Sequence, residues 1–194
     1  MSKMSEKFSD TNRIIFQVIK AASLEVFKAE AKSPESSIRE FTKQDSDKLI
    51  YIQDIACIML IGDELRVVFK IHYWLDDAIQ ILKKVHPAHS ETIVEKKSRD
   101  FMKELTNVTA GRIKYKFLTI NSNIGQSLPV NFDGLNQLFF IEKRNNEFSD
   151  SWAISHEDKE FIMSVSIQYF KDSILDKIND TMLQDSAPPD VELF

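Results

Sequence analysis

The sequence predicts an α+β fold, because helical and strand-like patterns occur along one chain of ordinary globular composition. Two long segments, 12–31 and 90–117, carry apolar residues at helical spacing. Shorter segments rich in β-branched and aromatic residues are typical of strands, grouped as one hairpin and a later series. The chain has 194 residues, of which 43% are hydrophobic, including 14 phenylalanines. This is enough for the core of one domain spanning 1–194.

The N-terminal segment is predicted to be a long amphipathic helix. Thr11 or Asn12 can cap it, and it runs to about Ala31. The polar stretch 32–47, which contains Pro34, is predicted to be a connecting loop. The helix's apolar stripe comprises Ile15, Val18, Ile19, Ala22, Val26 and Ala29.

A β-hairpin and a short helix are predicted next. Segments 49–61 and 65–73 are apolar and β-branched, and Gly62-Asp63 between them is a turn signal. Segment 76–85 follows as a short helix that ends near Pro87, since proline is excluded from a helix interior.

The remaining chain is predicted to contain one long helix, several strands and a short terminal helix. The helix spans about 90–117, and 118–123 leaves it as the start of a strand. A turn at 156–158 separates the last two strands, and 173–182 is helical. The strand candidates are 126–132, 138–143, 151–154 and 161–170.

Composition limits the classes of function. The net charge is −5 with a pI of about 5.4, which argues against a nucleic-acid binder that relies on bulk charge. Residues 1–10 lack the apolar run of a secretory signal, and no stretch is long and apolar enough to span a membrane. The single cysteine, Cys57, cannot form an internal disulfide, so we expect a cytoplasmic protein with a buried, inert thiol.

The most informative stretch is 100–111 within the predicted long helix. Steps of four, three and four residues place Asp100, Glu104, Asn107 and Gly111 on one helical face. Phe101, Leu105 and Val108 form a neighbouring stripe suited to a core. An acid and an amide one turn apart, followed by a residue with no side chain, predict a flat polar ridge that another protein's backbone can approach.

This ridge resembles the Glu-x-x-Asn signature of the CheC/CheX/FliY family of phosphatases, which act on phosphorylated CheY-type response regulators. The segment 127–134, with Leu128-Pro129 and then Gly134, resembles the segment that follows the signature helix in that family. A second match, Glu142 to Asn145, lies in a polar stretch and is interpreted as chance. The resemblance covers about 12–171, which leaves 1–11 and 184–194 as expected flexible tails.

The resemblance implies an antiparallel sheet with helices on one face, built from two α–β units that suggest an internal duplication. A single Glu-x-x-Asn site is more similar to CheX than to CheC, and CheX-type proteins pair as homodimers.

By the same resemblance, the chain hydrolyses the phospho-aspartate of a CheY-like regulator and so ends chemotaxis or other two-component signalling. Asn107 would orient the attacking water, and Glu104 would pair with a lysine of the regulator. Asp100 and Gly111 would shape the surface. The Mg²⁺ would belong to the regulator, so neither a cofactor nor a metal site is expected on this chain.

Two alternatives stay open. The chain can be a catalytically silent relative that binds a regulator, or a structural relative in the flagellar switch. Other candidate sites are weaker: His86 and His89 have metal-ligand spacing, but no carboxylate or thiol cluster completes a site. Basic residues on the signature helix, from Lys96 to Lys116, favour a solvated face or attraction to an acidic partner.

Overall fold

The structure is a computed structural model that describes residues 3–45, 54–87, 95–120, 122–133 and 147–183. The predicted strand 138–143, the second Glu-x-x-Asn match, Gly134, His89 and the C-terminal tail lie outside the described residues. The elements are α1 (Lys3–Glu30), β1 (Ser37–Glu40), β2 (Asp54–Gly62), β3 (Leu65–Tyr73), α2 (Leu75–Val85), α3 (Glu95–Leu118), β4 (Ile124–Gln126), β5 (Val130–Asp133), β6 (Glu147–His156), β7 (Lys159–Tyr169), α4 (Ile174–Lys177) and a 3₁₀ turn (Asp180–Leu183).

The strands form one antiparallel sheet in the order β1-β6-β7-β3-β2-β4, and β5 pairs with the other end of β2. This confirms the predicted α+β class with an antiparallel sheet. The β2–β3 and β6–β7 hairpins meet at the centre through β3 and β7. They follow from alternating apolar residues joined by tight turns, and Glu157 has a positive φ of 54° in the second turn.

The sheet order supports the predicted internal duplication. If β1 is exchanged with β4, β2 with β6 and β3 with β7, the strand order becomes β4-β2-β3-β7-β6-β1. This is the original order read from the other end of the sheet. Each half therefore contributes a helix, an edge strand and a hairpin, and each edge strand pairs with the hairpin of the other half.

The core lies between the sheet and a helical layer made of α1, α2 and α3. Alternate residues of the strands, such as Ile58, Phe69 and Val165, are buried with apolar residues of all three helices. Trp152 of β6 is fully buried and donates from Nε1 to Ser23 Oγ of α1 at 3.1 Å. Strand residues of the opposite parity point away from this layer, as expected for period-two alternation.

The first helix begins earlier than predicted. The structure starts α1 at Lys3, so Thr11 and Asn12 are interior and buried rather than capping, and the predicted tail 1–11 is largely helical. Packing against the sheet explains the difference: Phe8 stacks on Phe148 at 5.6 Å, and Asn12 Oδ1 accepts a 2.7 Å hydrogen bond from Tyr169. Tertiary contacts thus override the local capping signal.

The prediction of a continuous loop at 32–47 was wrong, because β1 lies within it. The sequence Ser-Ile-Arg-Glu lacks clear alternation, and among the described strands β1 is a short edge strand that pairs with β6 alone. Arg39 anchors it by donating to both oxygens of Asp45 at 2.9 Å and to Glu160. The hydrogen bonds that Arg39 donates to Asp45 hold the pKa of this carboxyl group well below its usual range.

The predicted strand 126–132 is divided in two, and 118–123 contains no strand among its described residues. Helix α3 continues to Leu118, β4 pairs with Leu60–Gly62, and β5 pairs with the start of β2. Between them Pro129 has no N–H for the ladder. Ser127 bridges the gap: its N–H donates to Met59 O at 2.9 Å, and its Oγ accepts from Met59 N at 3.0 Å.

The prediction at the chain's end is corrected, and the hairpin turn predicted at Gly62-Asp63 begins one residue later, at Asp63. The segment 173–182 forms a four-residue helix and a separate 3₁₀ turn instead of one helix. Gly62 ends β2 where β4 approaches closely, and a Cβ there would meet Asn123 O at 2.7 Å. Among the described residues, no helix is long and apolar enough to cross a bilayer.

Candidate functional site

The candidate site lies on α3, which is positioned by its opposite side. Met102, Leu105 and Ile113 are buried in the core, and the predicted stripe residues Phe101 and Val108 pack half-buried beside them. The helix contacts both β2 and α1. The polar ridge consequently faces out of the molecule, with Asp100, Glu104 and Gly111 exposed and Asn107 half-buried.

A groove of about 630 Å³ runs between α1 and the second half of α3. Glu104, Asn107 and Gly111 all line it, so the structure brings three of the four predicted residues to one surface depression. The rest of the lining comes mainly from α1 and α3, and includes Glu25, Val26, Ala29, Val108, Arg112, Tyr115, Leu118 and, from β4, Gln126.

Asp100 is placed apart from the groove lining. Its carboxylate pairs with Lys103 one turn along the same helix at 2.6 Å. The hydrogen bond from Lys103 lowers the pKa of Asp100. The residue is therefore a charged neighbour of the groove, rather than one of its walls.

Asn107 is held by a residue that the sequence analysis did not single out. Gln126 Nε2 lies 2.8 Å from Asn107 Oδ1 and 3.1 Å from the Asn107 backbone oxygen. Register explains the contact: Gln126 pairs with the buried Leu60 and so projects toward the helical layer. The signal available in the sequence was that Gln126 directly precedes the family-like segment 127–134.

Glu104 is an exposed carboxylate that, within the described part of the chain, has no ion-pair or hydrogen-bond partner. Neighbouring acids differ. Across the groove Glu25 Oε1 pairs with Arg112 at 2.5 Å, and on the same helix Glu95 pairs with Arg99 at 3.3 Å. Glu104 is thus available to a cation supplied from outside.

Gly111 is exposed, and a side chain there would meet no neighbour in the part of the chain that the structure describes. A Cβ built there would find nothing within 4 Å, and the described glycines all have ordinary negative φ values. Neither backbone conformation nor packing against the described residues requires glycine at this position. The open space above Gly111 belongs to the groove.

Gln126 and the described part of the family-like segment that follows it lie alongside α3. Gln126 contacts α3 at Asn107, and Asn131 Nδ2 of β5 donates to Arg99 O at 3.3 Å. Arg99 in turn donates from Nε to Asp54 Oδ1 at 2.7 Å. These contacts fix the N-terminal half of the ridge to the β2 edge of the sheet.

Other titratable residues fit structural roles. Burial raises the pKa of the Cys57 thiol, in keeping with the predicted inert cysteine. Burial lowers the pKa of His72 to about 3, and its Nε2 is 2.8 Å from Ser164 Oγ. His86, predicted as half of a weak metal motif, is exposed after α2.

One cluster away from the groove has atoms that could ligate a metal. Glu35, buried His156 and Glu157 bring one ligand atom each within 4.8 Å of one another. However, Lys84 already pairs with Glu157, and Ser33 Oγ is hydrogen-bonded to His156 Nδ1 and lies 3.0 Å from Glu35 Oε1. These contacts give the cluster a structural role, because they join α2, the segment before β1 and the β6–β7 turn.

Comparison with solved structures identifies the architecture. CheX from Vibrio vulnificus superposes with a TM-score of 0.59 at 14% identity, covering 78% of this chain and 97% of that one. A CheC-like protein from Shewanella oneidensis gives 0.59 at 12% identity, over 81% and 99% of the two chains. The fold is that of CheX and CheC-like chemotaxis proteins. At these identities the likeness concerns the fold alone.

Two further solved structures, each of a complex, contain a chain that resembles this one in fold. A chain of the CheX–CheY–BeF₃–Mg²⁺ complex from Borrelia burgdorferi matches with a TM-score of 0.57 and 13% identity, covering 80% of this chain and 97% of that chain. A chain of the FliM–SpeE complex from Helicobacter pylori matches at 0.61 and 11%, covering 91% and 95%. No protein-family model and no curated protein sequence matches this chain.

Proposed function

We propose that this protein hydrolyses the phospho-aspartate of a CheY-like response regulator. The observation that carries the proposal is the groove wall of Glu104, Asn107 and Gly111, on a fold shared with CheX in a CheX–CheY complex. An acyl phosphate is already reactive, so the protein has only to position a water in line and stabilise developing charge.

The three residues divide this work according to their chemistry. An amide both donates and accepts hydrogen bonds, so Asn107 can hold the attacking water without acting as a base. Glu104, which has no partner among the described residues, can accept hydrogen bonds from the ammonium group of a regulator lysine and set the docking register. Gly111 leaves room for the partner's backbone. Mg²⁺ enters with the regulator, and no cofactor on this chain is part of the proposal.

The decisive experiment follows the decay of ³²P-labelled CheY-like regulators with Mg²⁺, with and without this protein. Asn107→Ala is expected to lower the accelerated rate by about 10²-fold, the scale for removing one positioned polar group. Binding of the regulator should persist. Glu104→Gln should instead raise KM by about fivefold, the equivalent of roughly 1 kcal/mol for an exposed ion pair.

Matched controls come from the same chain. Asn145→Ala changes the second Glu-x-x-Asn match in the sequence. Glu95→Gln removes an exposed acid from α3, the helix that carries Glu104 and Asn107. Both should leave the decay rate unchanged. If Asn107→Ala retains full activity, or if no regulator from the same source decays faster, the phosphatase proposal fails.

A second candidate function is a non-catalytic scaffold of the flagellar-switch kind. The observation that favours it is the FliM–SpeE chain, whose match covers 91% of this chain against 80% for the chain of the CheX–CheY complex. Copurification with flagellar motor components, together with an unchanged lifetime of the phosphorylated regulator, would support this role. Failure to copurify with flagellar motor components, together with full phosphatase activity, would exclude this role.

A further inference from the structure

We infer that Gln126 is the positioning residue for Asn107, and that it fixes the amide with Nδ2 directed toward the docked partner. The inference deepens the proposed phosphatase function and rests on it. Gln126 lies on β4, outside the helix that carries the signature, so it joins the site through the sheet.

The hydrogen bonds determine which atom is which. A backbone carbonyl oxygen can only accept, so the Gln126 atom 3.1 Å from Asn107 O must be the amide nitrogen. The same nitrogen lies 2.8 Å from the Asn107 side chain, so the side-chain atom that meets it must be the acceptor, Oδ1. One main-chain oxygen therefore sets the orientation of both amides.

The orientation has a chemical consequence at the groove. Within the described residues no hydrogen bond uses Asn107 Nδ2, which leaves both of its protons for a ligand. Oδ1 retains a second lone pair beside the one that Gln126 occupies. Asn107 thus presents a donor first, suited to a phosphoryl oxygen or the oxygen of the attacking water, with an acceptor beside it.

The support for Gln126 is itself rigid. Gln126 pairs with fully buried Leu60 in the ladder, and the next residue, Ser127, is bonded to Met59 through both its N–H and its Oγ. Tight contact at Gly62 holds the other end of β4. An exposed asparagine alone would rotate freely about its side-chain bonds, whereas this arrangement restricts it before the partner arrives.

The test compares Gln126→Met, which keeps the shape but removes the donor, with Gln126→Glu, which supplies only acceptors. Gln126→Met should lower kcat for regulator dephosphorylation by about tenfold, with KM changed less than twofold, because positioning and not docking is lost. Gln126→Glu should lower kcat further, because the carboxylate attracts Nδ2 and turns the donor away from the partner. Gln168→Met is the matched control and should behave as wild type. Gln168 is a half-buried glutamine of β7 that lies on the face of the sheet turned away from the helical layer.

A second readout needs no regulator. The side-chain amide resonances of Asn107 in ¹⁵N-labelled protein should shift in Gln126→Met and Gln126→Glu and stay in place in Gln168→Met. If the Asn107 resonances are unchanged in both Gln126 variants, or if Gln126→Met keeps wild-type kcat, the inference is overturned. Absence of activity in the wild type would instead reject the phosphatase proposal, and the resonances would still decide whether Gln126 orients the amide.

Discussion

Two buried tyrosines show how single polar atoms set stability at the residue scale. Tyr169 donates its hydroxyl to Asn12 Oδ1 at 2.7 Å and so ties β7 to α1. The hydroxyl of Tyr73, which ends β3, has no hydrogen-bond partner among the described residues. Burial raises the pKa of both phenols. The same chemical group is therefore satisfied at one site and orphaned at the other.

The matched pair of variants follows from that difference. Tyr169→Phe should lower the free energy of unfolding by about 1–3 kcal/mol, because the buried Asn12 oxygen loses its donor. Tyr73→Phe should lower the free energy of unfolding by no more than about 0.5 kcal/mol, or raise it. The reason is that removing the Tyr73 hydroxyl breaks no hydrogen bond among the described residues. Urea unfolding of the two variants measures both values. Equal losses would contradict the hydrogen-bond assignment.

At Gly111, a substitution that stabilises helix α3 should impair the function of the groove. Glycine inside a helix costs roughly 0.5–1 kcal/mol relative to alanine, and a Cβ at Gly111 would meet no atom of the described residues within 4 Å. Gly111→Ala should therefore raise the free energy of unfolding by about that amount. It should also slow regulator dephosphorylation, because the added methyl group occupies the groove where the partner's backbone approaches.

Thermal or urea unfolding and the ³²P decay assay measure the two effects on one preparation. A variant that is more stable and equally active would show that no partner approaches Gly111. A variant that is less stable would show that α3 does not tolerate alanine there for a reason within this chain. Gly62→Ala provides the contrast, since its Cβ would press on Asn123 O at 2.7 Å and should destabilise the hairpin end.

Elements with strong local patterns were predictable from the sequence, and elements defined by distant contacts were not. Strand β3 matches its predicted bounds, 65–73, because its core-facing residues alternate from Leu65 to Tyr73. Strand β1 was missed because its pairing with β6 and the ion pair of Arg39 with Glu160 connect residues far apart in sequence. The start of α1 was misplaced because Phe8 packs on residues near the other end of the chain.

The candidate site divides along the same line. Helical spacing predicted that Glu104, Asn107 and Gly111 share a face, and the groove contains all three. The spacing could not show that Asp100 pairs with Lys103, nor that Gln126 reaches Asn107 across 19 positions of sequence. Periodicity within a helix reports which residues are neighbours on that helix, while the partner from the sheet depends on strand register.

At the scale of the whole molecule, the two faces of the sheet are unequal. The helical layer covers one face and carries the groove at its surface. On the other face, at the β2–β5 edge, Val130 and Phe132 are large, exposed apolar residues. In the register they lie opposite the buried residues Cys57 and Ile55 of β2. Ile61 is 45% exposed and Leu128 85%. An apolar edge of this kind favours association, which keeps the homodimer as a prediction.

We predict that the homodimer forms across this apolar edge, and that Phe132→Lys shifts it to monomer at micromolar concentration in sedimentation velocity. Leu183→Lys is the control, because Leu183 is 40% exposed against 38% for Phe132 but lies in the 3₁₀ turn that contacts α1. It should leave the wild-type mass unchanged. Since the edge and the groove lie on different surfaces, Phe132→Lys should also keep full dephosphorylation activity per chain. A wild-type monomer would contradict the dimer, and activity lost with the dimer would mean that the second copy contributes to the groove.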